Sequence, residues 1–220
     1  MTESSARKAS PDGGASTDHV AQTDSWAHLG PMMERGGSDY PELVAQMRRV
    51  QDSFVVAHLP AALVPEFAEQ LGGLADRLAE YKAEESAAPA GSRLDLPGRG
   101  HPFLLPHIVD QWSDTRVEAR VTFTPFHLGG NGAAHGGSLP LLFDEVLGRL
   151  ANSSGRNVAR TAYIHVNYRH ITPVGKQLRL EATLDREEGR KRYASGRLLD
   201  GNVVVSDAEG LFVALRPGQP

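Results

Sequence analysis

The sequence predicts an α+β fold in which one long helix packs against a single curved antiparallel sheet, with a helical extension at the N-terminus. Three observations predict it. Apolar residues recur at helical spacing in residues 40–85 and again in 139–150, and they alternate with polar residues in 117–124 and in several segments of 162–215. Because one helix and one antiparallel sheet bury each other's apolar faces only when the sheet curls, we expect the sheet to wrap around the helix.

Composition limits the classes of function. The 220 residues carry a formal net charge of -4, so the chain has no overall attraction for nucleic acid or an anionic membrane. The absence of cysteine excludes disulfides, thiolate zinc sites and cysteine nucleophiles. Neither a secretory signal nor a run of eighteen apolar residues is found, so we expect a cytoplasmic protein without a nucleic-acid partner or a membrane span.

Four segments differ in composition. Residues 1–39 are rich in Ser, Gly, Asp and Thr, which is typical of a disordered tail. Residues 40–85 predict a helical extension of two helices separated by prolines, and 86–100 predict a linker rich in Pro, Gly, Ala and Ser. The folded catalytic domain is therefore expected over residues 101–217.

Within that domain the elements are predicted in the order strand, helix, then four strands. The first strand ends at Pro125 and is followed by the Gly-rich loop HLGGNGAAHGG. The apolar stripe of the next helix, of about four turns, comprises Leu139, Leu142, Phe143, Val146, Leu147 and Leu150. Turn signals at Gly189 and at Asp200-Gly201 join neighbouring strands closely, which favours an antiparallel sheet.

The stretch AAHGGSLPLLFDEVLGRLAN, residues 133–152, raises the central chemical question. The first amides of a helix have no intrahelical partner and lie at the positive end of the helix dipole, so they can receive an oxyanion. Gly136 and Gly137 leave the approach to these amides free of side chains. Asp144 lies two turns further along, where a carboxylate can attack a carbonyl carbon or take a proton from water.

Spacing alone leaves a structural alternative open. In that alternative Asp144 only forms a cap or a salt bridge, and the glycines only turn the chain. Glu145 is rotated from Asp144 by about 100° around the helix and is the weaker candidate for catalysis.

A wider set of motifs resembles one protein family. His135-Gly136-Gly137, an aspartate nine residues after the histidine, the strand TAYIHVNYRHITPVGKQL and the closing SDAEGLFVAL are together similar to the hotdog-fold acyl-CoA thioesterases of the PaaI type. The resemblance covers roughly residues 100–215. It implies a hotdog fold and a thioester hydrolase whose substrate contains coenzyme A, with no metal and no separate organic cofactor.

The resemblance also implies roles for individual residues. The Gly136 amide is implied as the oxyanion donor, Asp144 as nucleophile or general base, and His135 as a residue that shapes the loop. By position, Thr161 corresponds to a Ser or Thr that orients water across a dimer interface. Some family members carry an asparagine six residues before the motif histidine, whereas this chain has Asn131 four residues before it, as a candidate in its place. A homodimer or a dimer of dimers, with sites shared between subunits, is implied.

Further residues are candidates for binding the substrate. Gly137 lies beside the oxyanion donor, while Arg169 and His170 follow the motif strand and are candidates for phosphate or pantetheine contacts. Arg190, Lys191 and Arg192 flank a hairpin turn. They are interpreted either as a solvated charge cluster or as a clamp on the coenzyme A phosphates, since guanidinium groups bind phosphate in a bidentate manner.

Other classes are weaker. The Gly-rich loop does not complete G-x-G-x-x-G because His135 stands at the third glycine, no G-x-S-x-G turn exists, and the histidines lack metal-ligand spacing. Three alternatives remain: an acyl-CoA-binding module without hydrolysis, a hotdog hydratase or dehydratase, and an assembly protein whose N-terminal helices bind a partner.

Overall fold

The computed structural model describes residues 34–219. Residues 1–33, most of the predicted tail, therefore lie outside the described part. The main sheet contains six strands, and a two-stranded hairpin lies before the central helix. The strands are β1 (His107–Trp112), β2 (Arg116–Thr122), β3 (Leu128–Gly130), β4 (Ala133–Ala134), β5 (Ala159–Tyr168), β6 (Gln177–Glu188), β7 (Lys191–Asp200) and β8 (Val203–Ala214).

The sheet has the order β1-β2-β6-β7-β8-β5, and every neighbouring pair is antiparallel. The central helix, Ser138–Ala151, packs against β5, β6, β7 and β8. This arrangement confirms the predicted α+β hotdog fold, with the sheet wrapped around one helix. Among the described residues, β5, the strand after the helix, is an edge strand of this sheet.

The apolar stripe of the central helix forms the core. All six predicted residues of the stripe are buried, and Phe143 packs closely over β7. There a Cβ on Gly196 would lie 3.1 Å from the Phe143 ring, which explains the glycine in the middle of that strand. Full burial of each large side chain contributes about 1.5–3 kcal/mol, so this stripe is a main source of stability.

The structure adds elements that the predicted order lacks. β1 precedes the predicted first strand. Its residues do not alternate between buried and exposed, because β1 lies at the sheet edge and contains a bulge between Val109 and Gln111. The hairpin of β3 and β4 occupies the Gly-rich loop. Neither leaves a period-two pattern in the sequence, and that pattern is the signal that identifies a strand.

Two helices form the extension, α1 (Tyr40–Val56) and α2 (Val64–Ala79), so the central helix is α3. α1 is attached to the domain by polar contacts. Arg48 Nη2 donates to the carbonyls of Pro97 and His101 at 2.9 and 3.1 Å, and the backbone amide of Phe126 donates to Asp52 Oδ1 at 3.0 Å. The segment predicted as a linker, 86–100, therefore packs between α1 and the domain.

Candidate active site

The loop before α3 is shaped by His135. Its backbone amide donates to the His127 carbonyl at 2.7 Å, and its own carbonyl accepts from Ser138 Oγ at 2.6 Å. These two bonds are made by the backbone of His135 and set the path of the chain into the helix.

The two motif glycines differ. The Gly137 amide donates to His135 Nδ1 at 3.0 Å, whereas the Gly136 amide makes no hydrogen bond within residues 34–219. The Gly137 amide already has a partner within the loop, so it is not open to a substrate carbonyl in this conformation. Gly136 is left as the open donor at the N-terminal end of α3.

Tyr168 holds this loop from the other side. Its hydroxyl donates to the Gly136 carbonyl at 2.9 Å, and its ring lies 3.6 Å from where a Gly136 Cβ would stand. The peptide of the candidate oxyanion donor is thereby tied to the end of β5. Sequence reasoning placed Tyr168 only as a strand residue, because its partner is 32 positions away.

Asp144 and Thr161 come together. Asp144 is exposed on α3, and Thr161 Oγ1 on β5 donates to Asp144 Oδ1 at 2.8 Å. The contact lies within one chain. Asp144 Oδ2 accepts no hydrogen bond from the described residues, so one oxygen is held in place while the other is open to a substrate or a water molecule.

Asp144 lines a cavity of about 280 Å³ between α3 and β5. The cavity wall is mostly polar: Arg99, Asp144, Glu145, Gly148, Arg149, Asn152, Ala159, Arg160, Thr161 and Phe212. Its most unexpected member is Arg99, which comes from the segment predicted as a linker, 86–100, and was not predicted as a site residue. Arg99 Nη2 donates to Glu145 Oε2 at 2.7 Å.

Glu145 is buried, unlike its neighbour Asp144. Its role in the structure is the ion pair with Arg99, in agreement with its low rank as a catalytic candidate. Burial also lowers the pKa of Arg149, one turn further along α3, although the Glu145 carboxylate opposes that effect. Arg149 stacks on the Trp112 ring at 5.1 Å from the ring centroid.

Gly136 and Asp144 of one chain are separated along the helix. Gly136 precedes the first turn of α3, and Asp144 lies six residues after Ser138, a rise of about 9 Å. The two groups are therefore about two helical turns apart along α3 of one chain.

Arg169 and His170 lie at a second place. They line an open groove of about 630 Å³ together with Arg197, Asp207 and Glu209, and this groove shares no residue with the Asp144 cavity. Arg169 also forms an ion pair with Asp207, which raises the pKa of Arg169 and lowers that of Asp207. The structure therefore does not bring these candidates to Asp144.

The three residues of the basic cluster at the β6–β7 turn differ in their burial. Arg192 is buried, and its Nη1 donates to the carbonyls of Ala151 and Asn157 at 2.8 and 2.6 Å. Arg192 is thus neither a solvated charge nor part of a phosphate clamp, and both interpretations are wrong for it. Arg190 donates to the Ala214 carbonyl but remains exposed, as does Lys191.

Asn131 has a conformational role. It lies in the turn between β3 and β4 with a positive φ of 51°, a conformation that asparagine tolerates better than most residues. It is exposed and does not line the Asp144 cavity. Its predicted contact with the substrate has no support in the geometry of one chain.

Within residues 34–219, no three His, Asp or Glu side chains gather as ligands for a metal ion. Across the same range, none of the helices is both long and apolar enough to cross a bilayer.

Comparison with known proteins places these features in a family context. Residues 131–206 match the family described as the thioesterase superfamily. Acyl-coenzyme A thioesterase THEM4 of Bos taurus is 30% identical over 95 residues, which cover 42% of this chain and 38% of that protein. THEM5 of Mus musculus, also named an acyl-coenzyme A thioesterase, is 30% identical over 125 residues, which cover 56% and 49%. The match thus spans less than half the length of each mammalian relative.

One solved structure is similar to this chain over the hotdog domain and part of the N-terminal helical extension. It is described as a thioesterase superfamily protein, is 29% identical, has a TM-score of 0.68, and covers 80% of this chain and 91% of its own.

Proposed function

Because the domain that contains residues 131–206 belongs to the thioesterase superfamily, we propose that this protein hydrolyses the thioester bond of acyl-CoA, releasing a free acid and coenzyme A. One observation carries the proposal. Asp144 is exposed in a cavity, with one carboxylate oxygen held by Thr161 and the other open. A carboxylate in this arrangement is suited to take a proton from a water molecule aimed at a carbonyl carbon.

The proposed reaction proceeds by general base catalysis. Asp144 takes a proton from water while the water oxygen bonds to the thioester carbon, and the carbonyl oxygen becomes an oxyanion that accepts from the Gly136 amide. The carbonyl then re-forms as the C–S bond breaks, and Asp144 returns the proton to the departing sulfur. The reaction uses no metal and no organic cofactor, since coenzyme A enters as part of the substrate.

Direct attack by Asp144 is the competing route. In it the carboxylate bonds to the acyl carbon, coenzyme A leaves, and water cleaves the resulting anhydride. Single-turnover hydrolysis in ¹⁸O-labelled water tests this route, because label in the peptide that contains Asp144 would establish the anhydride and overturn general base catalysis.

A complete site needs a second copy of the chain. Because Asp144 lies about two helical turns beyond Gly136 on the same chain, the proposed site pairs Asp144 of one subunit with Gly136 of another. The open edge at β5 supports a homodimer, because Arg160, Thr161, Ala162 and Tyr163 are exposed there and the backbone on that side is free to pair. A dimer of dimers is compatible with the same pairing.

The first test is thiol release from a panel of short, long and aromatic acyl-CoA esters. Asp144→Asn is expected to lower kcat by about two orders of magnitude or more, the scale for loss of a general base, while acyl-CoA binding is retained. Asp76→Asn, on exposed α2, is the matched control and should leave kcat unchanged. If the unaltered protein binds acyl-CoA but hydrolyses none of the esters, it is a binding module and the proposal fails.

A second test addresses the shared site. Gly136→Leu fills the approach to the amide and, like Asp144→Ala, should abolish activity in a homodimer. A heterodimer of the two variants contains one site with an intact Asp144 and an intact Gly136. Co-expression should therefore restore up to about half of the activity per purified heterodimer, and failure to restore any would contradict sharing.

A further inference from the structure

Arg99 lies at the boundary between two cavities. One is the Asp144 cavity, of about 280 Å³. The other, of about 730 Å³, is lined by Arg35, Arg99 and residues between 84 and 92, and we call it the outer cavity. Of the residues that line these two cavities, only Arg99 lines both. Its side chain therefore forms part of the wall between them.

The Arg99 guanidinium is bonded to both sides of this wall. Its Nη2 donates at 2.7 Å to Oε2 of Glu145, which lines the Asp144 cavity. Its Nη1 donates at 3.0 Å to the carbonyl of Gly91, which lines the outer cavity. Hydrogen bonds from a charged donor are stronger than those between neutral groups, so the side chain is held across the boundary.

The backbone at Arg99 has a conformation that costs free energy for an arginine. Its φ is 54°, in the left-handed region, and the φ values of its neighbours Gly98 and Gly100 are also positive. α1 holds the turn in this form, because the Tyr40 hydroxyl donates to the Gly100 carbonyl at 3.0 Å and Arg48 donates to two further carbonyls of residues 97–101. Glycine would adopt the same backbone at lower cost. The specific contribution of this position is therefore the arginine side chain.

The Asp144 cavity has room for the smaller end of the proposed substrate. The open oxygen of Asp144 has to reach a water molecule beside the thioester carbon, so one of the two groups on that carbon lies along the cavity. Coenzyme A is the larger group and its nucleotide end needs an exit to the surface, whereas an acyl group can end inside a cavity. A volume of about 280 Å³ is at the lower end of the range for small-molecule pockets, which suits a short acyl group.

We propose that the acyl group of the substrate occupies the Asp144 cavity and that Arg99 limits the length of this group. The inference rests on the proposed thioesterase function and specifies its substrate class, acyl-CoA with a short acyl chain. A longer chain would have to enter the outer cavity, and Arg99 closes that route through its bonds to Glu145 and Gly91. The 86–100 segment thus has a role in specificity, which α1 supports by holding the turn at Arg99.

Hydrolysis of acetyl-, butyryl-, octanoyl- and lauroyl-CoA by the full-length protein measures this limit. The quantity compared is kcat/KM for lauroyl-CoA divided by kcat/KM for acetyl-CoA, because the fraction of unfolded protein cancels in this ratio. The unaltered protein should favour the short esters. Arg99→Ala opens the wall and should raise the ratio at least about tenfold. A preference of the unaltered protein for lauroyl-CoA, or an unchanged ratio in Arg99→Ala, would overturn the inference.

Two further variants separate the size of the Arg99 side chain from its charge and from its effect on folding. Glu145→Gln removes the ionic part of the contact but keeps the arginine and an oxygen acceptor for it, so the ratio should stay within about threefold of the original. Arg99→Ala with Glu145→Gln leaves no buried carboxylate without a partner, so it tests the enlarged cavity in a more stable protein and should again raise the ratio. An equal rise in Glu145→Gln alone would assign the effect to charge and contradict closure by Arg99.

Failure of this inference is distinguishable from failure of the proposed function. If the unaltered protein hydrolyses the esters and the ratio does not respond to Arg99→Ala, only the inference fails. If the protein hydrolyses none of them, the proposed function fails, and calorimetric dissociation constants of the same esters test Arg99 without catalysis. Arg99→Ala should then tighten the binding of lauroyl-CoA relative to acetyl-CoA at least about tenfold, and no change would remove Arg99 as the limit on length.

Discussion

Arg99 and Glu145 form an ion pair at 2.7 Å that links the 86–100 segment to the helix carrying Asp144. The Glu145 side chain is only 6% exposed, so this ion pair is largely shielded from water. Arg99 is itself held in place, because its Nη1 donates to the Gly91 carbonyl at 3.0 Å and its own carbonyl accepts from the Gly91 amide. The 86–100 segment thereby forms part of the wall of the Asp144 cavity.

The first prediction concerns stability. Arg99→Gln should lower the free energy of unfolding by about 2–3 kcal/mol, because it leaves the buried Glu145 carboxylate without its ion-pair partner. This loss is smaller than that for a fully buried pair, since a third of the Arg99 side chain is exposed. Urea denaturation measures the change. Arg120→Gln removes the exposed ion pair with Asp110 and should have a much smaller effect on stability, because solvent screens that pair.

A double substitution shows whether the pair or the individual charges matter. Arg99→Leu with Glu145→Leu removes both charges, and replacing a buried pair by apolar residues is often neutral. We expect the double variant to recover most of the stability lost in Arg99→Gln. If it is less stable than Arg99→Gln, Glu145 has a role beyond the pair.

The second prediction concerns the loop at Gly136. Tyr168→Phe removes the hydroxyl that donates to the Gly136 carbonyl at 2.9 Å, so the amide on that loop is less well positioned for an oxyanion. We expect kcat to fall by about tenfold with KM nearly unchanged, and the unfolding free energy to change by about 1 kcal/mol or less.

Tyr81→Phe is the matched control, since Tyr81 is an exposed tyrosine away from the β5 edge. Steady-state kinetics on the best ester should show no change for this variant. An unchanged kcat in Tyr168→Phe as well would remove Tyr168 from the positioning of the loop.

These contacts show which parts of the fold and the site can be predicted from the sequence. The α3 stripe and the alternation in β2 and β6 follow directly from period, because each is one amphipathic element with a single buried face. The positions of Asp144, Gly136 and Thr161 followed from local motifs. By contrast, Arg99 and Tyr168 act on residues 46 and 32 positions away, and no local pattern signals such a contact.

Arg192 illustrates a different failure. Its neighbours Arg190 and Lys191 made it part of a charge cluster, but strand alternation turns its side chain to the buried face of β7. Desolvation there lowers the pKa of Arg192, and the carbonyls of Ala151 and Asn157 supply its hydrogen-bond partners. The strand register, which the cluster itself does not reveal, decided its role.

The third prediction follows from that role. Arg192→Met leaves two carbonyls without a donor and should destabilise the fold by about 2–4 kcal/mol, while KM for acyl-CoA in the remaining folded protein stays within twofold. Lys191→Met, at the exposed neighbouring position, should change stability by about 0.5 kcal/mol or less. Thermal denaturation and steady-state kinetics on both proteins make the comparison. A KM raised by Arg192→Met alone would restore Arg192 to the coenzyme A site.

The fourth prediction concerns pH. Burial lowers the pKa of His107, with the nearby Arg149 and Arg48 adding to the effect and Glu145 and the Leu105 carbonyl opposing it. In the unfolded chain this histidine titrates near its ordinary value of about 6.5. Below that pH the unfolded state binds a proton that the folded state refuses, so stability falls as the pH drops from about 6.5 toward the lowered pKa of the folded state.

His101 and His127, which also lie where the extension meets the domain, have pKa values lowered by burial as well, so the effects act in the same direction. The unfolding free energy, measured by urea at pH 7, 6 and 5, should decline by at most about 1.4 kcal/mol per pH unit for each such histidine. His107→Gln should flatten that decline, whereas His58→Gln, at an exposed position between α1 and α2, should leave it unchanged. An equal slope in all three proteins would mean that His107 accepts its proton in the folded state, and the acid sensitivity would then belong to other groups.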